Sequence, residues 1–514
     1  MTSTDPRRLG PALAAVLAVL AAGSVLVLEI AAGRMLAPYV GVSLTTYTGI
    51  IGVILAGIAA GAWAGGRVAD LFGPVGLLGP TFILGGLAAM ASVPVVDVMG
   101  TLGLGSGIFA IVVLAAFGFV LPAATLTAVA PMVVRATIVD VATSGSLVGR
   151  LSAAGTIGAI GGTFLTGFVL LGAVPTRTII LATGMLLVLL GLALAWWARP
   201  RGRRGGDDGP GPGTTIVAAA VGLLVVGGAS IAVPNPCERE SAYFCISVVE
   251  DPLTGSGRTL VLDQLRHAYV DLDDPNHLEF AYIRWFDAAV AGRFERRNGD
   301  VDVLHLGGGG FSFPRHLVAA WPASRHVVLE LDPLVFETAR RELNLVPSPS
   351  LEVVLGDARL SVLELPDDRF DVVVGDAFGS LSVPWHLTTH EFLGEIDRVL
   401  RPDGLYVMNL IDGPALSFVR AETRTLLARF EHVVVMARPG AFDGLDGGPG
   451  GGGNVVLVAA HEPIDVDALV ARTGAGGGSA QVRVIAGADA LRAFVGDAPF
   501  LTDDLAPVDQ LIGR

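Results

Sequence analysis

The chain has 514 residues, 52% hydrophobic and only 16% charged, with a mean hydropathy of +0.63, which is too apolar for an ordinary soluble protein and too long for a single domain. Residues 1–233 hold 11 Arg against 7 Asp and Glu (net +4), and residues 234–514 hold 23 Arg against 41 (net −18), so the C-terminal half is expected to be an acidic soluble domain whose bulk charge argues against nucleic-acid binding. Two cysteines, Cys237 and Cys245, exclude a disulfide-rich scaffold and a four-cysteine zinc site, and no metal ligand set is expected.

Apolar stretches of about 20 residues, enough to cross ~30 Å of hydrocarbon, recur near 10–32, 46–66, 75–96, 106–130, 148–172, 176–197 and 214–233. The first follows Arg7 and Arg8 and runs on without a small-residue cleavage site, which predicts a helix rather than a signal peptide. With the N-terminus inside, the inner segments carry Arg7, Arg8, Arg67, Arg135, Arg150, Arg199, Arg201, Arg203 and Arg204, and the outer ones only Arg34 and Arg177. Nine against two fits the positive-inside rule. The expectation is a multi-pass protein of the cell membrane with the lipid bilayer as partner; oligomeric state stays open, a homo-oligomer included. An odd number of spans puts residues 234–514 outside the cytoplasm, where Cys237 and Cys245 could pair. A single misjudged span would return them to the cytoplasm, where nucleoside cofactors are made.

Two features of this half invite a functional reading. Glu29 sits within the first span, where a charge costs ~3 kcal/mol on insertion scales; it either has a role or snorkels outward, toward Arg34. Gly65-Gly66-Arg67-Val68-Ala69-Asp70 resembles the loop motif of major-facilitator transporters, in which Arg and Asp pin neighbouring helices. The match is short, and a helix-ending turn with an anchoring Arg is the plainer reading.

A polar loop, 199–213, precedes the last span, and β-rich stretches follow it at 243–249, 259–263 and 267–271. From 301 the pattern alternates strand and helix, as a parallel sheet requires. Strands are predicted near 302–306, 326–330, 351–355, 371–375, 404–410, 432–437 and 454–460, with helices most clearly at 333–343, 389–400 and 416–429. The domains expected are a membrane domain over 1–233, a small β unit over 234–298 and an α/β domain over 299–514. Seven strands, with a glycine-rich segment (444–453) before an antiparallel last one, resemble the Rossmann-type sheet of class I methyltransferases.

In such a sheet, ligands bind beyond the carboxyl ends of the strands. Strand one ends at Gly307-Gly308-Gly309-Gly310, strand two at Glu330, strand three in Gly356-Asp357-Ala358, and strand four in Gly375-Asp376-Ala377-Phe378. Glycines allow a ligand to approach the backbone, Glu330 can accept both ribose hydroxyls, and Asp357 can bind an adenine amino group. A lone glycine run would be weak evidence; four strand ends in register define a nucleoside site.

The order of these residues resembles the spermidine synthase family, specifically its membrane-fused bacterial members, over about 235–460. In that family a Leu-Asp-Gly-x-x-Gln segment precedes Asp-Glu-x-x-Tyr-His-Glu; here these become Leu262-Asp263-Gln264-Leu265-Arg266-His267 and Leu278-Glu279-Phe280-Ala281-Tyr282-Ile283-Arg284. Its Gly-Gly-Gly-Asp-Gly-Gly becomes Gly307-Gly308-Gly309-Gly310-Phe311-Ser312, its Glu-Ile-Asp is Glu330-Leu331-Asp332, and its Gly-Asp-Ala is Gly356-Asp357-Ala358. The catalytic Asp-x-x-Asp-Pro becomes Asp376-Ala377-Phe378-Gly379-Ser380. The resemblance implies decarboxylated S-adenosylmethionine, or S-adenosylmethionine, as a co-substrate rather than a tightly bound cofactor. It assigns Gly307, Gly309, Glu330, Asp357, Ala358 and His267 (in place of the Gln) to nucleoside binding, Tyr282 to the amine channel, and Asp376 to accepting the amine proton. The departures concentrate on the amine: Gly310 and Gly379 replace aspartates and Ile283 replaces a histidine. A dication such as putrescine needs carboxylates to offset its desolvation, so the diamine subsite looks stripped beside an intact nucleoside subsite.

Each residue also has a plainer use. Asp376 could cap the segment after its strand, Tyr282 could be core, and His305 in mid-strand is expected to be buried structure. His386 could face the site, and its plainer reading is the approach to a helix capped by Thr388 or Thr389. Three functions compete: an aminopropyltransferase, a methyltransferase sharing the sheet but using another acceptor, and a non-catalytic polyamine or nucleoside sensor or transport accessory, which an outside location and a Cys237–Cys245 disulfide would favour.

Overall fold

Seven helices, Pro11–Val40, Leu44–Phe72, Pro74–Gly100, Ile108–Thr137, Ser144–Ala173, Thr176–Trp197 and Thr214–Ala232, are long and apolar enough to cross a membrane. They coincide with the seven stretches expected from hydropathy. The structure is a computed structural model that describes residues 9–105, 107–138, 144–198, 212–297, 299–379, 382–442, 451–474 and 482–512. The chain divides into two units, Met1–Cys245 and Ile246–Arg514.

Small residues bring the helices of the first unit together. A Cβ added to Gly61 would lie 2.1 Å from the Ala124 carbonyl oxygen, one on Gly158 2.2 Å from that of Val19, and one on Gly86 2.4 Å from that of Gly184. Backbone therefore packs directly on backbone between the second and fourth, first and fifth, and third and sixth helices, as expected where lipid removes the hydrophobic drive for helix association. The two arginines expected on the outer side, Arg34 and Arg177, are tied down. Arg177 bonds the buried Asp97, which also accepts from the Tyr39 hydroxyl at 2.9 Å. Arg34 does not turn to Glu29: it donates to the carbonyls of Ser241 (2.8 Å) and Tyr243 and lies 3.9 Å from the Glu240 carboxylate. Glu240 in turn accepts from the Thr176 N–H at 3.0 Å.

The segment 65–70 corrects the plainer sequence reading. It is not a turn but the last part of the helix Leu44–Phe72, with Arg67 over the Trp63 ring (4.0 Å) and Asp70 3.5 Å from Arg135 of a neighbouring helix. Both members of that pair are largely exposed, so it adds little stability. Arg7, Arg8, Arg199, Arg201, Arg203 and Arg204 lie outside the described residues. Cys237 and Cys245 are joined in a disulfide.

The second unit opens with three antiparallel strands, β1 (Cys245–Glu250), β2 (Gly257–Leu262) and β3 (Leu265–Asp271). The helix Ala281–Phe294 leads to the main sheet. Its strands are β4 (Asp302–Leu306), β5 (Arg325–Glu330), β6 (Leu351–Leu355), β7 (Phe370–Gly375), β8 (Leu400–Asp412), β9 (His432–Ala437), β10 (Gly453–Ala460) and β11 (Arg483–Ala486), in the order β11-β9-β10-β8-β7-β4-β5-β6. The five strands β4–β8 pair in parallel, and β10 runs antiparallel between β8 and β9. Apolar runs such as Val372-Val373-Val374 are buried along their whole length, as a sheet covered on both faces demands. Phe392, Phe418 and Phe430 fill one face and Trp285, Phe286 and Phe294 the other. The seven expected strands are all present. The eighth, β11, was not foreseen: it is four residues long and adds antiparallel to the outer edge of β9. The direction in which strands are added reverses between β4 and β7, which places the crevice for ligands beyond their carboxyl ends.

Candidate active site

The turn after β4 is built for close approach. Gly307 has φ +92°, and a Cβ there would lie 2.5 Å from the Asp376 carbonyl oxygen; a Cβ on Gly310 would lie 2.5 Å from the Ala268 Cβ. The loop thus rests on the segment after β7 on one side and on β3 on the other. The N–H groups of Gly308 and Gly309 donate to Glu330 Oε2 at 2.8 and 3.1 Å, and the Asp332 N–H donates to Oε1 at 2.8 Å. Burial raises the Glu330 pKa, and these three donors oppose the rise. Glu330 is therefore the residue that shapes the glycine loop, in addition to standing at the strand end expected for a ribose contact.

At the end of β6, Asp357 caps the helix Ala358–Leu363 by accepting from Leu360 N (3.2 Å), and its Oδ2 lies 3.1 Å from the His386 Nε2. Ala358 is buried as the first residue of that helix. His386 thus reaches the strand-end cluster, as well as lying in the approach to the next helix. Thr389 caps that helix, His390–Val399, while the Thr388 hydroxyl turns back to the Trp385 carbonyl at 2.8 Å.

After β7, Asp376 does not cap the segment that follows. Its Oδ1 accepts from Asn409 Nδ2 at 3.0 Å and its Oδ2 from the Tyr282 hydroxyl at 3.1 Å, and Asn454 Nδ2 donates to Asn409 Oδ1 at 3.1 Å. Burial pushes the Asp376 carboxyl up to about 6, against the pull of the two donors. Burial, and the Asp376 charge beside it, push the Tyr282 phenol well up.

A cavity of about 670 Å³ opens here, with Gly307, Gly309, His267, Tyr282 and Asp376 among its lining residues. The expected site residues therefore fall into two groups, because Glu330, Asp357 and Ala358 stand at the ends of β5 and β6, outside this lining. Burial lowers the His267 pKa to about 4, so its ring is neutral at neutral pH. His305 is buried as expected and 3.0 Å from His326 Nδ1, yet it also reaches the cavity wall. Gly310 and Gly379, where the resembled family has aspartates, differ in kind. Gly310 is held by contact with Ala268, whereas a Cβ on Gly379 would meet nothing closer than 3.7 Å. Ser380 and most of the 444–453 segment lie outside the described residues. Sequence reasoning missed Asn409 and Asn454; the available signal was a lone polar residue at the carboxyl end of an apolar strand, Val407-Met408-Asn409-Leu410.

Residues 304–408 match the family model described as "Methyltransferase domain". The chain is similar to the polyamine aminopropyltransferase of Vibrio vulnificus (strain CMCP6), 33% identical over 143 residues that cover 27% of this chain and 46% of that one. It is also similar to the eEF1A lysine and N-terminal methyltransferase homolog of Drosophila pseudoobscura pseudoobscura, 32% identical over 120 residues, 22% of this chain and 18% of the other. The chain spans about half the length (46%) of the aminopropyltransferase it matches. Among solved structures, a probable spermidine synthase from Corynebacterium glutamicum ATCC 13032 is 25% identical, with 52% of this chain and 95% of that one covered and a TM-score of 0.47. Fold and family match together define a methyltransferase-type α/β domain. Within that class the chain is similar to polyamine aminopropyltransferases, and its α/β domain follows seven apolar helices.

Proposed function

We propose that the protein is a transferase that moves an alkyl group from an S-adenosyl sulfonium to an amine nitrogen, in the form of aminopropyl transfer from decarboxylated S-adenosylmethionine to an amine, putrescine being the simplest to try. The observation that carries this reading is Asp376, a carboxylate clamped by Asn409 and Tyr282 on a cavity wall beside the glycine loop. The acceptor nitrogen attacks the carbon next to sulfur; a C–N bond forms, the C–S bond breaks with its electrons returning to sulfur, and a neutral thioether leaves. The nitrogen then sheds a proton, and Asp376, with a pKa of about 6, accepts it at neutral pH. In this reading Glu330 binds the ribose hydroxyls, Asp357 the adenine amino group, and His267 takes the place of the Gln of spermidine synthases in holding the nucleoside.

Gly310 and Gly379 favour a second reading, a methyltransferase with another acceptor, because the carboxylates a diamine needs are missing. Calorimetric titration of the full-length protein in detergent with decarboxylated S-adenosylmethionine, S-adenosylmethionine and putrescine separates the two by donor. Tight binding of the decarboxylated donor, lost in Glu330→Ala, supports the first reading; binding of S-adenosylmethionine alone supports the second. Turnover should fall at least ~100-fold in Asp376→Asn, the scale of a lost general base. Nucleoside binding without turnover would leave a sensor. We further infer that the soluble half faces the outside of the cell membrane, a placement supported by the arginine asymmetry and by the Cys237–Cys245 disulfide.

A further inference from the structure

The cavity beside Asp376 is rich in hydrogen-bond donors and poor in free acceptors. Arg266 on β3 and Arg438 at the end of β9 both line it. Arg438 is exposed and its guanidinium has no hydrogen-bond or ion-pair partner among the described residues; Arg266 leans over the Phe280 ring, 5.7 Å from its centroid. Trp285 also lines the cavity, and although it is only 1% exposed its indole N–H has no acceptor among the described residues. A buried donor left unpaired is costly and points to a partner supplied from outside.

Among the described residues the wall carries two carboxylates. Glu279 is exposed and 3.3 Å from His277, and both oxygens of Asp376 already accept a hydrogen bond. A diamine would bring two positive charges to a wall with two guanidiniums and would find, among the described residues, a single carboxylate oxygen without a donor, Oε1 of the exposed Glu279. Arginine's planar fork, in contrast, matches a carboxylate.

We propose that this cavity receives a carboxylate-bearing, amino-acid-type group, held by Arg438 and Arg266 with the Trp285 indole N–H, in place of a plain diamine. This rests on the transferase reading and specifies its substrate class. The carboxylate can arrive on either substrate. S-adenosylmethionine keeps the one its decarboxylated form has lost, and ornithine is putrescine with a carboxylate added.

Those two matched pairs are the test, titrated into the full-length protein in detergent. The carboxylated member of one pair should bind at least about tenfold tighter, as one charge-assisted hydrogen bond warrants; which pair shows the preference identifies the source. Arg438→Gln should reduce that preference about tenfold while leaving the decarboxylated member's affinity and the melting temperature unchanged. Equal or tighter binding of the decarboxylated member in both pairs overturns the carboxylate inference and leaves the transferase reading standing. A preference that survives both Arg438→Gln and Arg266→Gln overturns the assignment to these arginines. Failure of all four compounds to bind overturns both readings.

Discussion

At the scale of single residues, the two donors on Asp376 decide how it titrates. Burial favours its neutral form and sets the pKa at about 6, so a reaction needing the carboxylate should gain rate as pH rises through about 6 and level off above it. The hydroxyl of Tyr282 stabilises the charged form, and Tyr282→Phe should therefore move this acid limb upward, read from kcat/KM against pH. The stability effect has the opposite slope: the native state holds this proton above the pH at which the unfolded chain has released it, so the contribution of Asp376 to stability falls between about pH 4 and 6. The two glycines that replace aspartates should also behave differently. Gly310→Asp drives a side chain into Ala268 and should lower the melting temperature, whereas a Cβ at Gly379 makes only ordinary contact, 3.7 Å from Pro384, and Gly379→Asp should leave it unchanged. The strand-end rule made Asp376, Glu330, Asp357 and the glycine loop legible in sequence. The bonds between them were not legible: Asp357 and His386 are 29 positions apart and Asp376 and Asn409 33, and no local pattern announces either meeting.

At the scale of elements, long apolar strands and amphipathic helices showed themselves through periodicity, and short ones did not. β11 has only four residues and an unremarkable pattern, so nothing in Arg483–Ala486 distinguished a strand from a loop. Helix starts were legible only to within a residue. Thr388 and Thr389 are equally good caps in sequence, and the choice is made by tertiary contacts: the Thr389 hydroxyl accepts from Phe392 N at 3.3 Å and from Arg359 at 3.1 Å. Thr389→Ala should cost about 1 kcal/mol, seen as a lower unfolding midpoint of the full-length protein, and Thr388→Ala should leave the cap intact.

At the scale of the whole molecule, hydropathy and charge predicted seven spans, while sidedness awaits a direct measurement. Only two cysteines exist, so they are clean reporters. In intact cells a membrane-impermeant maleimide should label the protein only after a membrane-impermeant reductant has opened the disulfide; labelling that requires cell lysis would place the soluble half inside. The glycine contacts of the first unit carry a mechanical consequence. Where a carbonyl oxygen sits within 2.1–2.4 Å of the place a methyl would occupy, neither lipid nor water has room to enter. Each seam then behaves as a welded joint, and the first helix with the fifth, or the third with the sixth, travels as one body. Rearrangement of this unit would slide such pairs past one another and leave the seams shut.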